Sequence, residues 1–484
     1  MLIKENKEIF LLISFFTLLR LWVAPSFGLG VDEAHYLLYA KYLDLSYVDH
    51  PPLVGWIHAP FYYLLGTSEF LVRLPAILLF ACTSFLAYRF MMGISNSKGI
   101  SLLAVLGLNS SFMFNALGLM LLPDSILLVL VFLLILVIQK IEEKPQPKYF
   151  IFLGLLWGLA GLAKYTSALL VPALLFYWLS QKRYDLLFSK HMIACAAIAL
   201  LLIAPVLYWN LQNNWVSFRY QGTHMFGSSA IKPGPFFLSL AAQLGSYSPF
   251  LFGIAFYGFF RSFRSTQGQI RLSLLLGGIP LAFFLYSALY DLSLPHWSCP
   301  FYLLFIPLGL YFLSIDTGRV KRSLRNISIG ITLAVTFFLY VELAAKWFTF
   351  PDYQSPFRDI YGWATIAQEA HEILKEKQGP NKALAVTEWT IGSRLIYYAL
   401  PYHPEVFVID QRKDQFDFWQ KSSPLGYNFL FVNSYFSKED IAKSFYCDEV
   451  RVVKRMDILL NGGKVEAIEY VWCKNFQGAK DGKR

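Results

Sequence analysis

The sequence predicts an α-helical polytopic membrane protein carrying a small α/β domain towards its C-terminal end. Three observations carry this. The 484 residues are 56% hydrophobic and only 15% charged, with mean hydropathy +0.46, an apolar share above that of an ordinary soluble domain. Apolar runs close to the length of a membrane span recur as far as Ala345. From about Trp347 the composition shifts to charged residues and short β-rich runs.

At about 20 residues per span, apolar segments lie near Ile9 to Phe27, Phe70 to Met92, Ile100 to Gly118, Ser125 to Ile141 and Phe150 to Lys164. Others follow near Ser167 to Leu179, Met192 to Trp209, Phe236 to Phe260, Leu272 to Leu289, Trp297 to Ser314 and Ile327 to Ala345. That is about 11 transmembrane helices. Trp22, Pro25 and Phe27 stand where a small-residue cleavage site would follow the first run, so it reads as a retained helix.

The formal net charge of +10 does not point to nucleic acid, because most basic residues before the C-terminal region sit in short loops between apolar runs. Lys182, Arg183 and Lys190, then Arg261, Arg264 and Arg271, then Arg319, Lys321, Arg322 and Arg325 occupy alternate connections. The positive-inside rule makes these cytoplasmic. The N-terminus is then expected inside and the C-terminal domain outside, with residues 1–346 forming the membrane domain and 347–484 the extracytoplasmic α/β domain. The latter reads as strands near Ala383 to Val386, Val406 to Ile409, Phe429 to Val432, Val450 to Lys454 and Glu466 to Trp472, and a helix near Trp363 to Lys377. Cys447 and Cys473 both fall there, where an oxidising compartment permits a disulfide.

The stretch richest in chemistry is the first outer loop, residues 28–69. Asp32 and Glu33 follow Gly28-Leu29-Gly30-Val31 at the outer end of the first helix, where a carboxylate can act as a general base or cap a helix. Asp49 and His50 precede two prolines that hold the backbone extended, which suits substrate positioning or a simple turn. Arg20 falls near mid-membrane depth, where a cation needs a partner. Arg73 starts the second helix as a phosphate ligand or an interfacial anchor.

Asp124 sits in a short outer turn within Leu-Leu-Pro-Asp-Ser, and Lys164 ends an apolar helix where its ammonium can meet a phosphate as a point charge or snorkel. The outer loop Asn210 to Ser229 adds Arg219, Tyr220 and His224, and the stretch Asp291 to Pro300 adds His296. Acids and bases from five connections thus map to one side of the membrane, and a shared site is the economical explanation. No P-loop, dinucleotide glycine fingerprint or zinc-ligand spacing occurs. The acids could hold a divalent cation, but their spacing specifies no geometry.

With the pieces LRLW, VDEAHY, YVDHPPLVGW, EFLVRLPA, LPDS, GLAKYT and LPHW, the chain resembles the GT-C-type membrane glycosyltransferases, in the protein O-mannosyltransferase and aminoarabinose-transferase superfamily. The resemblance runs from about Phe10 to Leu310 and implies a GT-C fold in a bacterial inner membrane. It implies inverting transfer of a sugar from a polyprenyl-phosphate donor to a hydroxyl or phosphate of an envelope acceptor: lipid A or its core, a polysaccharide or a protein. No cofactor is implied beyond a possible divalent cation.

Carried residue by residue, the resemblance makes Asp32 the catalytic base and Glu33 its assistant. Lys164 neutralises the donor phosphate, with His296, Arg219 and Arg73 available for the same task, and Asp124, Asp49 and His50 position substrate. His50 departs from the lysine usual before the paired prolines in aminoarabinose transferases. A lipid or solute transporter is the rival reading, although such folds more often show duplicated halves, and no internal repeat is visible.

Overall fold

The computed structural model describes residues 7–226, 230–316, 318–410, 412–437 and 439–480; the side chain of His224 lies outside the described residues. The chain divides into two compact units. The first comprises residues 1–24, 43–66 and 70–340, and the second residues 25–42, 67–69 and 341–484. Pro25 to Tyr42, expected at the end of the first apolar segment and in the loop that follows it, therefore packs with the C-terminal residues.

The expected apolar segments are mainly helical, although the one near Ile100 to Gly118 is split at Ser111 into Lys98–Ser110 and Phe112–Leu117. Against about 11 expected spans, six helices among the described residues are long and apolar enough to cross a membrane, Glu69–Ser95, Pro123–Glu143, Lys190–Gln212, Gly268–Ser287, Pro295–Ile315 and Arg319–Ala345. Lys98–Ser110, Pro147–Ala163 and Tyr165–Ser180 are shorter apolar helices. The segment expected as one helix near Phe236 to Phe260 is broken into Pro233–Tyr247 and Pro249–Ser262, bent by 105°. Pro249 opens the second of these helices, a position where its missing N–H is tolerated and its ring disfavours the α conformation at the preceding residue. Ser248 adopts φ +77° instead.

Arg20 lies in the last turn of the helix Lys7–Val23, nearer its end than the mid-depth expected. Its guanidinium donates to the Asn109 and Asn115 side-chain oxygens at 2.9 and 2.8 Å and lies over the Phe80 ring. Tyr340 donates to the same Asn115 oxygen at 2.9 Å. The loop expected at Asn210 to Ser229 is largely helical, Val216–Phe226.

The second unit is built on a five-stranded sheet ordered β2-β1-β3-β6-β5: β1 Lys382–Val386, β2 Val406–Val408, β3 Asn428–Ser434, β5 Glu449–Leu460 and β6 Gly463–Lys474. β1 pairs in parallel with β2 and β3, while β6 is antiparallel to β3 and β5. A further pair joins β4 Phe445–Tyr446 to β7 Gly478–Ala479. The β5–β6 hairpin turns at Asn461 and Gly462, both at positive φ (50° and 86°), the conformation for which Asn-Gly is favoured.

Alternation along β1 sends Leu384 and Val386 into a core shared with the helices Trp363–Glu376 and Trp389–Ala399. Ala383 and Ala385 face a second core with Phe407, Phe429, Phe431 and Phe476. The expected bridge between Cys447 and Cys473 is formed, with Cα atoms 5.6 Å apart.

Candidate functional site

In the first unit the helices Pro123–Glu143 and Pro147–Ala163 are joined by a short connection and run back along one another, so the start of one lies beside the end of the other. This brings Asp124 to Lys164. Pro123 opens its helix where a missing N–H costs nothing, which leaves Asp124 in the first turn. Lys164 ends its helix in an extended conformation (φ −153°, ψ 133°) ahead of a 3₁₀ turn, and its ammonium donates to both Asp124 oxygens, at 2.6 and 2.8 Å. Both residues are buried, at 2% and 3% exposed. Such a pair loses hydration on both partners and persists only with close geometry.

The start of Cys299–Ile315 completes this cluster, since that helix packs on Pro123–Glu143. His296 Nε2 stands 4.0 Å from Asp124, beyond direct hydrogen-bond distance, with a side chain 19% exposed. The Cys299 thiol donates to Asp124 at 3.5 Å. His50 also lies close enough to act on the charge of Asp124.

The turn bearing Asp49 and His50 is tied down on several sides. Ser217 donates to the Tyr47 carbonyl at 2.8 Å, Gln221 to the Asp49 carbonyl at 2.6 Å and the Trp209 indole to Asp44 at 2.9 Å. Ser46 meets the hydroxyl of Tyr165, the residue after Lys164, at 3.1 Å.

Arg219 is exposed on the helix Val216–Phe226. Arg73 is fully buried and donates to the Ala24 carbonyl at 2.5 Å, capping the first helix rather than standing at a water-facing lip. Cys299 escaped the sequence reading, although it follows His296 by three residues, a spacing that puts both on one side of a helical turn. Tyr247 and Tyr302, stacked at 3.7 Å between centroids, were also missed; Tyr302 donates to Gln243 at 2.9 Å.

In the second unit Gly28 explains the approach of the chain to Asp32. Its N–H donates to the Ile360 carbonyl at 2.9 Å, and the Leu29 N–H to the Tyr398 hydroxyl at 2.7 Å. A Cβ at Gly28 would stand 2.5 Å from that hydroxyl and 2.7 Å from the Ile360 oxygen, so only glycine fits. The helix Val31–Lys41 follows, with Asp32 half-buried in its first turn. Glu33 is buried at 1% exposed and accepts the Gly30 N–H at 3.1 Å, so one of its oxygens serves the helix start.

His35 Nδ1 meets Ser393 Oγ at 3.0 Å, and the imidazole sits among Tyr36, Tyr39, Trp389, Phe416 and Trp419. Among the described residues no three His, Cys, Asp or Glu side chains are grouped so as to hold a metal ion.

Residues 49–209 match the family model of dolichyl-phosphate-mannose-protein mannosyltransferase. The lipid A galacturonosyltransferase RgtD of Rhizobium johnstonii is 25% identical over 249 residues, 49% of this chain and 50% of that one. The undecaprenyl phosphate-alpha-4-amino-4-deoxy-L-arabinose arabinosyl transferase 1 of Proteus mirabilis is 22% identical over 307 residues, 61% of this chain and 50% of that one. The chain therefore spans about half the length of these curated relatives.

Among solved structures, ArnT from Cupriavidus metallidurans in the apo state superposes with a TM-score of 0.70 at 13% identity, covering 97% of this chain and 98% of that one. ArnT bound to undecaprenyl phosphate gives 0.67 at 14%, covering 96% and 98%. The chain thus has the fold of the ArnT structures, with several helices long and apolar enough to cross a membrane, and the family model and both relatives it is similar to are those of glycosyltransferases.

Proposed function

We propose that the chain is an inverting glycosyltransferase that moves a sugar from a polyprenyl-phosphate donor to a glycolipid acceptor, on the outer face of a bacterial inner membrane. The observation that carries the reading is the buried Lys164–Asp124 pair with His296 beside it, at helix ends in a membrane unit of ArnT-like fold. One relative is named for lipid A and the other for an undecaprenyl-phosphate-linked sugar, and one ArnT structure holds undecaprenyl phosphate.

In this scheme Lys164 exchanges part of its hold on Asp124 for the donor phosphate and stabilises that phosphate as it leaves. Asp124 keeps the ammonium aimed when donor is absent, and His296 and His50 orient the donor. Asp32 takes the proton from the acceptor hydroxyl, whose oxygen then attacks the anomeric carbon. Glu33 holds the start of the Asp32 helix. A phosphate ester departs readily, so no general acid is required. The basic connections face the cytoplasm, and the C-terminal domain lies outside.

The test is transfer from a polyprenyl-phosphate sugar to glycolipid by the full chain in liposomes, followed by mass spectrometry of the lipid product. Asp32→Asn and Lys164→Met are each expected to reduce turnover about 100-fold or more. Undiminished transfer by Asp32→Asn rules out its role as base. The broken span at Ser248 is the one observation that favours a transporter. Movement of labelled lipid between leaflets without any sugar transfer selects that reading.

A further inference from the structure

The second unit contains a cavity of about 470 Å³ between the end of the helix Val31–Lys41 and the segment running from β2 to Ser422. It involves none of the residues given a role above, and its volume falls in the range of small-molecule sites, about 300–1,000 Å³. Its wall is aromatic. Trp419 stacks on Tyr42 at 5.0 Å and meets Phe416 edge-on at 5.1 Å, so the rings are fixed by one another. Two lysines line the same cavity: Lys41, whose ammonium lies 5.1 Å from the Tyr42 centroid, and Lys421, exposed on the opposite chain segment. The one carboxylate in the lining, Glu405, accepts a hydrogen bond from Ser422 at 2.9 Å.

Rigid aromatic surface suits the apolar C–H faces of a sugar ring, and paired lysines suit anionic substituents upon it. We infer that this cavity binds a phosphorylated saccharide, the headgroup of the acceptor glycolipid. The aromatic wall receives the sugar, while Lys41 and Lys421 pair with its phosphate. The inference rests on the glycosyltransferase reading, to which it adds the acceptor's recognised part. The Asp124 cluster is not needed for this binding.

The full chain in nanodiscs is titrated with a glucosamine disaccharide bisphosphate, with the same disaccharide lacking phosphate, and separately with undecaprenyl phosphate. Saturable binding of the bisphosphate is expected, at least about tenfold tighter than the unphosphorylated sugar, as two charge-assisted contacts permit. Lys41→Glu and Lys421→Glu should each weaken it about tenfold. Lys421→Arg should retain it, and all three variants should keep the affinity for undecaprenyl phosphate.

Absence of saturable binding, equal binding without phosphate, or indifference to both charge reversals would overturn the inference. The two readings fail separately. Bisphosphate binding that depends on these lysines, in a protein that transfers no sugar, leaves the cavity assignment standing and removes the transferase. Sugar transfer with bisphosphate binding indifferent to both lysines does the opposite.

Discussion

A buried ammonium and carboxylate stabilise a fold only while each has the other. Lys164→Met should therefore cost the protein about 3–5 kcal/mol, because Asp124 is left charged and buried, and adding Asp124→Asn should return most of it. Thermal unfolding in detergent of the wild type, both single variants and the double variant measures this coupling.

A second prediction concerns Asp414. Burial pushes its carboxyl up to about 7, against the Phe416 amide and His35, while the charges of Asp410 and Asp417 add to the rise. Between an ordinary value of about 4 and that of about 7 the folded chain holds a proton that the unfolded chain has lost. This group therefore makes stability fall as pH rises through that window and adds no slope above it. Asp414→Asn should flatten that part of the profile in unfolding scans from about pH 4.5 to 8.

Residues of this kind differ in how plainly the sequence announces them. Asp124, Lys164 and His296 interrupt apolar runs at helix ends, so each was visible by contrast. Arg73 was equally visible, but its contact with the end of a neighbouring helix was not, because a buried cation looks the same in sequence as one facing water. Asp414 lies among other polar residues and gave no signal, since nothing in its local sequence marks it as buried.

At the scale of elements, close helix contact in the membrane unit depends on glycine. The helices Pro249–Ser262 and Cys299–Ile315 cross where Gly258 and Gly309 face each other. A Cβ at Gly309 would collide with the Ile254 carbonyl, and one at Gly258 would stand 2.5 Å from the Gly309 nitrogen. Small residues at such crossings let backbones approach. Gly309→Leu should lower stability by at least about 1–3 kcal/mol and broaden the size-exclusion peak. Gly253→Ala, on the helix Pro249–Ser262 but with open space around it, should lower neither stability nor homogeneity.

Most helices were legible because apolar length alone identifies a span. The break at Ser248 was signalled by the serine-proline pair and was overlooked within an otherwise continuous apolar run. The helix Trp389–Ala399 was not proposed from sequence. Thr390, Ile391 and Gly392 weaken its helical pattern, yet Gly392 is what lets it lie against Val408 of β2.

At the scale of the molecule, composition made a membrane unit and a mixed α/β unit legible, and short β-rich runs marked each strand of the five-stranded sheet. The membership of Pro25 to Tyr42 was not legible. It depends on the Gly28 and Leu29 amides reaching Ile360 and Tyr398, and on Leu38 entering the core of Trp363 and Tyr470. Hydropathy carries no information about pairings so far apart in the chain.

That pairing has a consequence in time. On the order of 400 residues separate the helix Val31–Lys41 from the last strand of its core, β6. At about 5–20 residues per second of synthesis, the helix that bears Asp32 waits some tens of seconds for its partners. During that wait Tyr36, Tyr39 and Leu38 have no core to enter, and the lipid–water boundary is the surface at hand that suits such aromatic side chains.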